Sequence, residues 1–284
     1  MTISVISNVM NVAGNAYLIY VMKWGVAGAA VATLASRVFC AVTIVIMLKR
    51  PKEVIGIGKI HKIKPDRVEL KRILRVGIPT GVENSMFQFG KLAIQSTVST
   101  LGTVAIAAQA MTNILESLNG VAALAVGLGM MTVVGQCIGA KEEEQAIYYI
   151  KKLCVIAEVA LVIGCAAVCI LVEPITVLAG MEPESAELCI YMIHAITIVK
   201  PLFWALSFVL PYGFRAAGDV KFSMTVSCIS MWCCRVALCI FLCRVVGLGT
   251  MSVWYAMFTD WAVRCFIFVI RFKNRKWLKK AVIE

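Results

Sequence analysis

The sequence predicts an all-α polytopic membrane protein, and three observations predict it. Hydrophobic residues fill 61% of the 284 positions while charged residues fill 15%, with a mean hydropathy of +0.87, a composition outside the soluble range. The apolar residues gather into about eight runs, each near the roughly 20 residues a helix needs to cross a hydrocarbon core. The 28 Lys and Arg residues cluster between those runs.

Taken in order, the runs fall at about 1–22, 26–48, 76–100, 103–133, 150–172, 188–210, 222–243 and 247–270. The first has no basic residue before Lys23 and no convincing small-residue cleavage site, so it reads as a retained span and not as a signal peptide. Between the second and third lies KRPKEVIGIGKIHKIKPDRVELKRILR, Lys49 to Arg75, with ten basic residues; RFKNRKWLKK from Arg271 carries six more. Both should face the cytoplasm. Alternating the spans from there puts Lys141, Lys151, Lys152, Arg215 and Lys221 inside and gathers Glu173, Glu182, Glu184 and Glu187 in one outer loop. The net charge of +12 is thereby explained by topology and attraction to anionic lipid, and nucleic acid is not expected as a partner.

Enzyme signatures are missing. The twelve cysteines lie mostly within apolar runs and form no C-x-x-C pair, so they read as small buried or lipid-facing residues, and no metal site is expected. There is no phosphate-binding loop for ATP and no H-E-x-x-H. The expectation is a protein that is not an enzyme.

The informative signal is polarity inside the spans. In the third, Thr80, Asn84, Gln88, Lys91, Gln95 and Ser99 recur every three or four residues and form one stripe on a helix. The fourth answers with Gln109, Thr112, Asn113, Glu116 and Gly120. A single amide in such a position commonly hydrogen-bonds across packed helices, but two stripes in register beside a mid-membrane carboxylate imply a hydrated cavity. Asn84, Gln88, Lys91, Gln95, Gln109, Asn113 and Glu116 are the candidate cavity residues.

Other charges sit deep in apolar runs: Arg37, Glu158, Lys200, Arg235, Asp260 and Arg264. Asp260 and Arg264 have the i, i+4 spacing of an intrahelical pair and read as structural. Lys200 precedes Pro201, with Pro211 beyond, so the sixth span is expected to kink. Lys200 could serve the carbonyls that a kink frees, or a substrate; Glu83, Lys200, Asp260 and Arg264 form a second group of candidates, for ion coupling or structure.

The chain also repeats itself. Met1, Thr2, Ser4, Ile6 and Ser7 recur at one offset as Met224, Thr225, Ser227, Ile229 and Ser230, which suggests a duplication. The segment from Leu74 to Ala140, with GxP at Gly77–Pro79, GT at Gly102 and VGQxxGA ending at Ala140, resembles the seventh and eighth helices of multidrug and toxic compound extrusion (MATE) transporters. GVAGAAVAT at Gly25 and FRAAGDVKF at Phe214 extend the resemblance over nearly the whole chain.

That resemblance implies twelve helices in two six-helix lobes, exporting organic cations and other amphiphiles in exchange for Na⁺ or H⁺, with no other cofactor. It implies that residues 1–48 are the last two helices of a first lobe, 49–72 a basic cytoplasmic linker, 73–271 a complete second lobe and 272–284 a cytoplasmic tail. The chain then reads as N-terminally truncated and multi-pass in the plasma membrane, its partners the bilayer and small amphiphilic or cationic substrates. Relatives that couple cations through the second lobe carry acidic residues where this sequence has Phe87 and Trp204, and Glu83 lies a turn earlier. Coupling is therefore expected in the first lobe. A lipid-linked oligosaccharide flippase of the same superfamily and a non-transporting remnant are the alternative readings.

Overall fold

A computed structural model describes residues 2–48 and 66–278; the 49–65 stretch of the basic linker and residues 279–284 of the tail lie outside the described residues. The described residues are almost wholly helical. They divide into two compact units, Met1–Asp66 and Arg67–Glu284.

In the first unit, α1 (Thr2–Ala16) runs into a π turn over Tyr17–Val21 and then pairs with α2 (Gly25–Leu48). Gly28, Ala32 and Ser36 are the buried positions of α2, and their four-residue spacing lets the two backbones approach closely. The seam is polar. Ser7 Oγ donates to the Ser36 carbonyl at 3.0 Å, and Asn11 Nδ2 donates to Ser36 Oγ at 3.2 Å.

The second unit contains α3 (Arg67–Val98), α4 (Thr103–Gly139), α5 (Glu143–Leu178), α6 (Pro183–Phe208), α7 (Leu210–Ala216), α8 (Val220–Ser230), α9 (Leu238–Phe241) and α10 (Met251–Lys273). π-Helical stretches at Met231–Ala237 and Leu242–Val246 flank α9, so residues 220–246 make one continuous rod. Counting α6 with α7 and the α8–α9 segment as single rods, the described residues hold eight, matching the eight apolar runs. By length and composition six of them can cross a membrane. The other two are α1, which is 15 residues before its π turn, and α3, whose hydropathy is lowered by its polar stripe.

Packing within the unit follows small residues and aromatics. Helix α4 packs on α5 and α6, α10 packs on α6, and α3 packs on α8. Gly164 on α5 sits where an added Cβ would be 2.7 Å from the Asn119 carbonyl oxygen of α4, so the closeness of that pair depends on the missing side chain. Trp254, Trp261 and Phe268 of α10 are fully buried against the neighbouring helices.

The sixth span is interrupted as expected, at the second of its two prolines. Helix α6 runs unbroken through Pro201 to Phe208, and the interruption comes at Val209, just ahead of Pro211. Proline clashes with the turn that precedes it, so a break on the N-terminal side of Pro211 is where such a clash is relieved.

Candidate functional site

The two polar stripes meet. A cavity of about 460 Å³ is lined by Gln88, Lys91 and Gln95 from α3 and by Gln109, Asn113 and Glu116 from α4, with Val253 and Met257 of α10 on its apolar side. Six of the seven cavity candidates thus share one space. Asn84 does not: it lines a separate cavity of about 150 Å³ with Glu83, Phe87 and Arg215. Its seven-residue distance from Lys91 is about 10 Å along a helix axis, and Phe87 fills the turn between.

Gln109 is buried and anchored. Trp254 Nε1 donates to its Oε1 at 3.1 Å, while its own Nε2 donates to Asn113 Oδ1 at 3.3 Å. The amide row on α4 is therefore held in orientation by α10. Thr112, on the same helix but turned inward, donates to the Ala108 carbonyl at 2.7 Å and contacts Cys189 Sγ at 3.3 Å.

Glu116 meets Lys200, not Lys91. Lys200 Nζ is wholly buried and lies 2.6 Å from Glu116 Oε1 and 2.8 Å from the Glu116 carbonyl, and it also donates to Asn119 Oδ1. Trp204 covers the ammonium, its ring centroid 4.8 Å away. Gly120 leaves room for it, since a Cβ there would stand 3.3 Å from Nζ and 3.4 Å from the Trp204 ring. The carbonyl that Lys200 satisfies thus belongs to α4 and not to its own proline-bearing helix.

Three further acids of the interior are paired, whereas Glu158 on α5 has no salt bridge among the described residues. Arg215 bonds Glu83 at 2.8 Å, Arg264 bonds Asp260 at 2.8 Å, and Arg271 places two N–H groups on Asp219 Oδ2 at 2.8 and 2.9 Å. Asp260 additionally accepts from Ser230 Oγ, and Arg264 donates to the Ser227 carbonyl at 3.0 Å. The i, i+4 pairing of Asp260 with Arg264 is as its spacing implied.

One charged wall residue lies outside both candidate groups. Arg235 lines the 460 Å³ cavity, is 7% exposed, and projects from the π-helical stretch Met231–Ala237. The signal for it was its isolation in MTVSCISMWCCRVALCIFLC, a run otherwise free of charge. Phe87 stands beside it at the junction of the two cavities, with Lys91 Nζ and the Arg235 guanidinium each 5.3 Å from its ring centroid and that of Arg264 at 5.8 Å.

The two polar stripes of this helical bundle close on one cavity, and the comparisons with known proteins give the family. The MatE family model matches residues 79–241, and the chain belongs to that family of transporters. It is 26% identical over 262 residues to a probable multidrug resistance protein NorM of Thermotoga maritima, covering 92% of this chain and 56% of that protein. It is 24% identical over 291 residues to an uncharacterized transporter YisQ of Bacillus subtilis, covering 99% of this chain and 62% of that one. Among solved structures, an outward-facing multidrug resistance MATE family transporter of the MOP superfamily superposes with a TM-score of 0.83 at 21% identity, over 98% of this chain and 62% of that one. The chain thus spans about three-fifths of the length of the relatives it matches.

Proposed function

We propose that this chain forms the last two helices of the first lobe and the second lobe of a multidrug efflux transporter in the plasma membrane, its C-terminal tail cytoplasmic, which moves organic cations or amphiphilic compounds outward by alternating access. The observation that carries this reading is the cavity shared by Gln95 of α3 and Asn113 of α4. Its volume falls in the range of small-ligand sites, and its wall mixes amides with apolar surface as recognition of varied amphiphiles requires. Similarity to a probable multidrug resistance protein supports the same direction.

Exchange for Na⁺ or H⁺ is the coupling we propose, on the strength of the family resemblance. Glu83, Glu116, Asp219 and Asp260 are each held by a cation, which speaks against these four as the coupling carboxylate. A test is retention of a fluorescent amphiphile by efflux-deficient cells expressing the protein. Gln95→Leu with Asn113→Leu should slow export several-fold at unchanged protein level. Unaltered export in the double variant would remove the cavity from the pathway.

A further inference from the structure

The cavity is cationic, and the reason lies in Arg235. The cavity wall carries the cations Lys91 and Arg235 and the carboxylate Glu116, which Lys200 bonds; the Arg264–Asp260 pair lies beyond, with Arg264 against the Phe87 ring. Glu116 is taken by Lys200, whereas Arg264 and Ser230 both bond Asp260 Oδ1 and leave Asp260 Oδ2 without a hydrogen-bond partner among the described residues, so Asp260 attracts Arg235 without reaching bonding distance. Lys91 and Arg235 are the cations left without a carboxylate at bonding distance among the described residues.

Arg235 is the costlier of the two. Lys91 is exposed and can be hydrated, whereas Arg235 is more than nine-tenths buried and its Nε has no hydrogen-bond partner among the described residues. The Phe87 ring offers it a π face, which does not accept the five fixed N–H groups of a guanidinium as oxygen lone pairs would. A purely structural cation at this depth normally comes with an acceptor, as Arg264 and Lys200 do here. Arg235 also sits on a π-helical stretch, a winding that costs stability and recurs at functional sites.

The geometry points to an anionic group, a carboxylate or phosphate on an apolar body, bound in this cavity by the Arg235 guanidinium with Lys91 as second contact. This assigns a charge class to the substrate and rests on the transporter reading above. The planar donor fork of arginine matches carboxylate and phosphate oxygens, and the Leu92, Val253 and Met257 surfaces of the same cavity suit the apolar body.

The experiment measures binding to the purified chain in detergent with two fluorescent probes on the same alkyl chain, one ending in a carboxylate and one in a quaternary ammonium. The carboxylate probe should bind at least tenfold more tightly, and dodecyl phosphate should displace it. Arg235→Met should cost about tenfold, the usual strength of a hydrogen bond to a charged group. Lys91→Gln, at an exposed position that folding does not depend on, should cost a smaller factor in the same direction. Tighter binding of the ammonium probe would overturn the charge assignment and leave the transporter reading standing. Binding of neither probe would sink both. Displacement by inorganic phosphate as effective as by dodecyl phosphate would overturn the amphiphile and mark a free-anion site.

Discussion

Lys200 Nζ, wholly buried on α6, lies 2.6 Å from Glu116 Oε1 on α4. The pair ties two helices together at the edge of the cavity. Removing one partner of a buried pair strands the other charge, at a cost of about 3–5 kcal/mol where both are sealed from water. Glu116 is 19% exposed toward the cavity, so the two single variants should differ. Glu116→Gln leaves a sealed ammonium with only neutral acceptors and should destabilise by about 2–3 kcal/mol; Lys200→Met leaves a carboxylate that water can reach and should cost less. The double variant should recover much of the loss. Thermal unfolding in detergent, run as a double-mutant cycle, checks this, and additive losses would show that the two charges do not depend on each other.

The packing of α4 on α5 makes a second expectation. Gly164→Ala adds a methyl 2.7 Å from the backbone oxygen of Asn119, which cannot move aside as a flexible side chain could. Destabilisation of about 1–3 kcal/mol should follow. Gly129→Ala on α4 is the control: its added Cβ meets nothing within 4 Å, and replacing a helical glycine by alanine gains about 0.5–1 kcal/mol. Equal melting shifts for both variants would contradict the close approach. Because Asn119 also accepts from Lys200, the first substitution should disturb the ion pair as well.

What the sequence disclosed and what it hid divide along one line. Relations within a helix were open to reading: the three-and-four spacing of Gln88, Lys91 and Gln95, that of Gln109, Asn113 and Glu116, and the Asp260–Arg264 pair all follow from 3.6-residue periodicity. Apolar run length likewise gave the eight rods. Relations between helices were not. Glu116 and Lys200 are separated by 84 positions, and nothing local distinguishes Lys200 from Lys91 as the partner of Glu116. Arg235 reaches the cavity from a π-wound stretch whose register no 3.6-residue pattern describes. Asn84 shows the limit of a stripe: its periodicity is right, yet it lines a different cavity, with Phe87.

Phe87 offers the sharpest test of how charge is set in the cavity. Its ring is flanked by Lys91, Arg235 and Arg264 at 5.3, 5.3 and 5.8 Å, each ring contact contributing about 0.5–2 kcal/mol depending on desolvation. The MATE resemblance places an acidic residue at this position in relatives that couple cations through the second lobe. Phe87→Glu would set a carboxylate among three cations, offset the local positive excess and compete with any bound anion for Arg235. Affinity for the carboxylate probe should then fall by about tenfold or more, while affinity for the ammonium probe rises. Phe87→Leu removes the ring without adding charge, so it should cost about 1–2 kcal/mol of stability and leave the order of the two probes unchanged. An unchanged order in Phe87→Glu as well would mean that the cations around this ring do not set the cavity's preference.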